Sequence, residues 1–215
     1  VGHPAEAPLV ALDPALAATG VTRLLPGRGG ELWIGTYDRG LLRLSGHGIE
    51  SLDESHGLPN NRIIALFEDR EGSLWVGTNG GLVRLGQGSF STITRARGLA
   101  GDYVRTVLED ADGVLWVGTS SGVSRIDGDE VRTIGAGTAL EGRSALSLAT
   151  APDGSLWVGT LSDGAMRWRD GRLLERVTKA EGLPTDEVRA ILTGPGAAVW
   201  FGTSEGLVRR DADGR

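Results

Sequence analysis

The side chains able to do chemistry in this sequence are guanidiniums, carboxylates, amides and phenols. The usual nucleophiles are missing. The three histidines, His3, His47 and His56, sit in stretches of tail or loop composition with no matching Ser or Cys constellation. There is no cysteine, which removes disulfides, thiolate nucleophiles and thiolate metal sites, and no other spacing forms a metal-ligand set. Asp110-Ala111-Asp112-Gly113 and Asp211-Ala212-Asp213-Gly214 open like calcium loops, but the distal Glu such a loop requires is absent, so both read as turns. No catalytic residue, metal or cofactor is expected, and the plentiful carboxylates read as a solvated surface.

What remains is a set of groups suited to binding. These are Tyr37, Asp38 and Arg39, then Asn60, Asn61, Arg62 and Asn79, and next Asp102, Tyr103 and Arg105. Arg143, Ser162 with Asp163, and Asp186, Glu187 and Arg189 complete the set. Planar amides, guanidinium forks and tyrosines can satisfy sugar hydroxyls or carboxylates. Any one of them alone reads as an ordinary solvated loop residue, and it is their placement as a group that makes them candidates.

Composition narrows the partners. The chain has 22 Lys and Arg against 28 Asp and Glu, a formal charge of −6, and no basic run, so a phosphate-backbone partner has no electrostatic footprint. No apolar stretch approaches membrane-span length, and the first residues have neither a basic segment nor a long apolar one. Glycine is over-represented at 35 of 215 residues without a three-residue period, so many tight turns are required.

The elements that must position the candidate groups are visible as a repeat. Five pentads read aliphatic-Trp-aliphatic-Gly-Thr, and their tryptophans, Trp33, Trp75, Trp116, Trp157 and Trp200, are spaced 42, 41, 41 and 43 residues apart. Upstream of each lies an aliphatic pair, Val21 and Leu24, Ile63 and Leu66, Val104 and Val107, Ala145 and Leu148, or Val188 and Ile191, marking a first strand. Gly30, Gly72, Gly113 and Gly154 stand three residues before the tryptophan, where a hairpin demands positive φ.

The pentad is the second strand. A third strand carries Arg43, Arg84, Arg125 or Arg167 one step before its last apolar position, an alternation expected of one wet and one buried face. A weaker fourth strand follows, as in Phe90 to Ile93. Glycine density inside every unit argues against helical repeats of similar length. Four short strands per unit with no helical period predict an all-β protein, a β-propeller with five four-stranded blades at about 16–56, 57–97, 98–138, 139–181 and 182–215. The tryptophans are then blade-packing anchors, with Trp168 as a larger filler of the same gap.

The best copy runs from Gly57-Leu58-Pro59 through Asp69 and Gly72 to Leu74-Trp75-Val76-Gly77-Thr78 and Gly81-Leu82. It resembles the two-component regulator propeller repeat. Gly98-Leu99 with Asp110, Gly113 and Leu115 to Thr119, and Gly182-Leu183-Pro184 with Val188 and Val199 to Gly206, resemble it again. The first copy departs at Gly27 and at Ala15-Leu16, and the fourth has Ala139-Leu140 in place of Gly-Leu. The resemblance implies seven-bladed rings in the extracytoplasmic or periplasmic sensor region of bacterial membrane receptors whose output domain is a histidine kinase or a diguanylate cyclase. It also implies small-molecule or carbohydrate ligands.

Five copies are fewer than such a ring needs, so this chain is expected to be a segment of a longer polypeptide. Its partners would be the remaining blades and the output domain, with a receptor dimer compatible. The function expected is a non-catalytic ligand-sensing input segment. The alternatives are a protein-interaction scaffold and, last, a carbohydrate-active propeller enzyme. By propeller strand order, the loops carrying the candidate residues emerge on one face.

Overall fold

The computed structural model describes residues 16, 18–86 and 89–211. His3, and the second turn-like segment beyond Asp211, lie outside the described residues. Among the described residues, nineteen strands form five antiparallel sheets, each a meander in chain order. The first contains β1 (Val21–Pro26), β2 (Leu32–Thr36), β3 (Leu41–Ser45) and β4 (Gly48–Leu52). The second contains β5 (Ile63–Glu68), β6 (Leu74–Thr78), β7 (Leu82–Gly86) and β8 (Ser89–Ile93), and the third β9 (Val104–Glu109), β10 (Leu115–Thr119), β11 (Gly122–Asp127) and β12 (Glu130–Ile134). The fourth has β13 (Ala145–Thr150), β14 (Leu156–Thr160), β15 (Ala165–Arg169) and β16 (Arg172–Val177), and the fifth β17 (Val188–Thr193), β18 (Val199–Thr203) and β19 (Gly206–Arg210).

Among the described residues the fifth sheet has three strands where the sequence reading gives it four. The first strands β1, β5, β9, β13 and β17 lie side by side on the inside of the array, and the first and last sheets do not pack on each other, so the blades form an open propeller arc.

The pentad explains itself once the sheets are stacked. Trp75 clusters with Leu99, Val104, Leu115 and Val117 of the next sheet, and Trp157 with Val188, Val199 and Phe201 of its own next sheet. Its ring meets Phe201 edge-on, with centroids 5.3 Å apart. The glycine after it must be small because the next blade's inner strand sits on it. A Cβ at Gly35 would come within 2.8 Å of Ile63 Cγ2, and one at Gly77 within 2.7 Å of Val104 Cγ1. The threonine closes the loop that follows. Thr78 Oγ1 donates to the Gly81 carbonyl at 2.9 Å and accepts from the Gly80 N–H, and Thr36, Thr119, Thr160 and Thr203 repeat the donation.

The third-strand arginines keep part of their side chains in solvent, as one wet face requires, and most of them also cover a tryptophan. Arg43, Arg84, Arg167 and Arg209 lie 5.4–5.8 Å from the centroids of Trp33, Trp75, Trp157 and Trp200, their cross-strand partners, so they extend the interface by cation–π contact. In two blades a carboxylate locks the ring as well, with the indole N–H donating to the buried Asp69 at 2.7 Å for Trp75 and to the half-buried Asp110 at 2.8 Å for Trp116. Trp168 is buried beside Leu156 and Trp116, in agreement with a filler role.

The two ends of the arc present the unpaired halves of this interface. The residue that opens the inner strand is at most 1% exposed in Ile63, Val104, Ala145 and Val188, but Val21 is 50% exposed. The residue opening the apolar part of the third strand is at most 1% exposed in Leu41, Leu82, Val123 and Ala165, but Leu207 is 66% exposed. Gly202, the fifth pentad glycine, has only Ala190 of its own sheet as nearest neighbour.

Candidate functional site

Antiparallel order places the entry to each first strand and the loop between the second and third strands on one side of the blade. Backbone hydrogen bonds tie these loops together. Tyr37 N–H donates to the Gly20 carbonyl, Ser120 to Tyr103, Leu161 to Ser144 and Ser204 to Glu187. Further bonds cross between blades, from Gly40 to Asn61, Gly142 to Ser121 and Gly164 to Asp186. The loops bearing the candidate residues therefore form one continuous face.

Every inner strand is bulged just below this face. The register slips at Thr22, Ile64, Arg105, Leu146 and Arg189, the second residue of each first strand. A bulge re-aims the side chain it carries and twists the strand end away from the ladder. Sequence reading selects Arg105 and Arg189 at this position and misses Thr22, Ile64 and Leu146, because an aliphatic residue or a threonine at a bulge looks like any other strand position.

The structure divides the candidates by what their polar atoms already do. Asn61, Asp102 and Asp186 are equivalent positions that close the preceding loop. Each side-chain oxygen accepts the N–H at the start of a 3₁₀ turn, from Glu54, Arg95 and Lys179 at 2.9, 2.6 and 2.8 Å. Asn60 accepts from the Arg62 N–H. Asp163 is buried and held by Arg143 at 3.2 Å and by Arg176 at 3.1 Å, a partner the sequence does not flag. Glu187 pairs with Arg189 at 2.6 Å. Asp38, Arg39 and Asn79 are exposed.

The same loops contain acids committed to turn geometry. Hydrogen bonds from Ser55 and then His56 hold the Asp53 carboxyl at about 2, and Thr178 lowers Glu181 below the ordinary glutamate value. His56 Nδ1 lies 2.9 Å from Asp53, so its ring is part of this turn.

Two pairs are left with uncommitted chemistry. The Arg62 guanidinium lies 4.4 Å from the Tyr37 ring centroid and the Arg105 guanidinium 4.6 Å from that of Tyr103. Arg105 Nε and Ser144 Oγ are buried with no hydrogen-bond partner. An unmet polar atom of this kind costs about 1–3 kcal/mol, and such atoms are uncommon unless something else is meant to meet them. Ser144 occupies, in the fourth blade, the position of Tyr103 in the third.

Residues 57–80 and 98–121 match the family model described as Two component regulator propeller. Two of the chain's five blades thus match the two-component regulator propeller repeat. The two matched repeats are the ones in which Asp69 and Asp110 bind the tryptophan indole. Among solved structures, two extracellular domains from B. thetaiotaomicron, each described as part of a hybrid two component system, are similar. One has a TM-score of 0.76 at 25% identity over 90% of this chain and 27% of that one, and the other 0.74 at 23% over 88% and 27%.

The chain thus spans about a quarter of those domains' length. Virginiamycin B lyase from Staphylococcus aureus shares the fold, with a TM-score of 0.69 at 17% identity over 91% of this chain and 68% of that one. A search of the curated proteins finds no match.

Proposed function

We propose that this propeller arc is the extracytoplasmic input segment of a bacterial signalling receptor. It binds a small polar ligand, of which a carbohydrate is one class, on the loop face and transmits occupancy without chemistry of its own. The observation that carries the reading is the loop face itself. Two guanidinium–tyrosine pairs lie on adjacent blades of this face, while Asn61, Asp102, Asp163 and Asp186 beside them are spent holding the loops in place. A site preorganised in this way binds with little ordering cost.

The repeat family and the similar extracellular domains support a sensor over a scaffold. The described histidines support a non-catalytic role, since His56 is tied to Asp53 and His47 lies in the β3–β4 turn, on the opposite rim from the loop face. The exposed Val21 and Leu207 ends fit further blades of the parent chain.

Replacing Arg62, Tyr103 and Arg105 together by Ala in the intact receptor tests the reading. Ligand-dependent output is expected to be lost while the melting temperature stays within the range of a surface substitution. Unchanged output would refute the assignment.

A further inference from the structure

We infer that the ligand presents a carboxylate to Arg105. This rests on the reading of the loop face as the binding site and adds the chemical class of what binds there. Most half-buried arginines of this protein meet a carboxylate, although Arg43 Nε, like Arg105 Nε, is buried without an acceptor. The half-buried Arg43, Arg84, Arg125, Arg167, Arg169 and Arg210 each lie beside a protein carboxylate. Among the described residues, the half-buried arginines without one are Arg62 and Arg105, on adjacent blades of the loop face. The other arginines that lack a carboxylate partner, such as Arg95, Arg97 and Arg172, are exposed and solvated.

Nothing in the general charge of the surface asks for this arrangement. The chain carries a net −6, with more carboxylates than basic side chains. Asp163 takes two guanidiniums and Glu187 takes Arg189, while Arg105, at the equivalent bulge position to Arg189, receives none.

The Tyr103 ring packs against the Arg105 guanidinium at 4.6 Å, with no protein carboxylate on it among the described residues, so an anion would be met by the terminal nitrogens. Its Nε is sealed from solvent with no acceptor, and the Ser144 hydroxyl at the head of the adjoining inner strand is in the same condition. A carboxylate accepts from a guanidinium fork through both oxygens and has lone pairs over for a hydroxyl. A neutral hydroxyl offers one acceptor atom and leaves the cation unmatched. The site is therefore built for an anion, and Arg62 gives a second cation one blade away for a ligand with two acidic groups.

The test compares matched probes on the parent protein by calorimetric titration. Oligosaccharides of galacturonate and glucuronate, together with succinate, are set against neutral xylo-, cello- and malto-oligosaccharides. At least one acid is expected to bind in preference to every neutral counterpart, with affinity falling as salt rises. Arg105→Gln is expected to weaken that acid about ten-fold or more, and Arg105→Lys to recover only part of the loss because the planar fork is gone.

Failure to find an acid preferred over its neutral counterpart would overturn the inference, as would acid binding indifferent to Arg105→Gln. If a neutral oligosaccharide binds and is lost in the Arg62, Tyr103 and Arg105 triple variant, the loop face stands as the site and only the carboxylate assignment falls. If an acid binds but resists that triple variant, both fall.

Discussion

Gly77→Ala adds one methyl group at the centre of the interface between the second and third blades. The new Cβ would lie 2.7 Å from Val104 Cγ1, 3.0 Å from Ala65 Cβ and 3.2 Å from Val104 Cβ. Val104 is fully buried within a packed cluster, so it cannot move aside cheaply. Overpacking of this size costs about 1–3 kcal/mol. Gly202→Ala makes the same change in the fifth blade, where the closest approach is 3.3 Å to Ala190 Cβ. There the lower backbone entropy of alanine makes the change neutral or stabilising by up to about 1 kcal/mol.

Urea unfolding of the two variants should therefore move in opposite directions, or move only for Gly77→Ala. Adding Val104→Ala to Gly77→Ala should recover part of the loss, with a coupling of roughly 0.5–3 kcal/mol in the double-mutant cycle. Equal destabilisation at Gly77 and Gly202, or a cycle with no coupling, would refute the view that the pentad glycine exists to seat the next blade.

Asp69→Ala strands the buried Trp75 indole N–H and also frees the turn N–H groups of Glu71 and Ser73. It should cost about 2–4 kcal/mol by urea unfolding, taking each bond to a charged acceptor as roughly 1.5–3 kcal/mol less what water recovers. Asp69→Asn, which keeps an acceptor, should cost less, and an equal cost would show that the bond to the indole is unimportant. Ala197 occupies the hairpin position held by Gly30, Gly72, Gly113 and Gly154, and it carries φ 60 where those glycines have 81 to 87. Ala197→Gly should therefore raise stability by up to about 1 kcal/mol, because a left-handed L-residue costs roughly 1–2 kcal/mol and glycine gives part of it back in chain entropy. A lower melting temperature would contradict this.

The blade pattern was readable before any coordinates because strand alternation and turn glycines are local properties, repeated often enough to be certain. The positions of Gly30, Gly72, Gly113 and Gly154 followed from hairpin geometry alone, and all four have positive φ. The candidate site was legible only as a list. Asn61, Asp102 and Asp186 look like binding residues in sequence, yet each is spent on a loop N–H seven residues upstream. Arg176 carries no sequence mark and shares Asp163 with Arg143.

The sequence by itself determined the number of blades, their strand order and hence the face on which the loops gather, since all of these depend on residues close along the chain. The tertiary structure alone decided which blade residue sits on each pentad glycine and which arginines go unpaired. The first is settled by side chains about one repeat apart that meet only when sheets stack, as Gly77 meets Val104, and the second by how side chains within a blade are turned, as in Arg43–Glu50 and Arg167–Asp153. Whether a guanidinium finds a carboxylate depends on distances of a few ångströms, because ion-pair and hydrogen-bond energies fall away over that range, and no spacing in the sequence encodes such a distance.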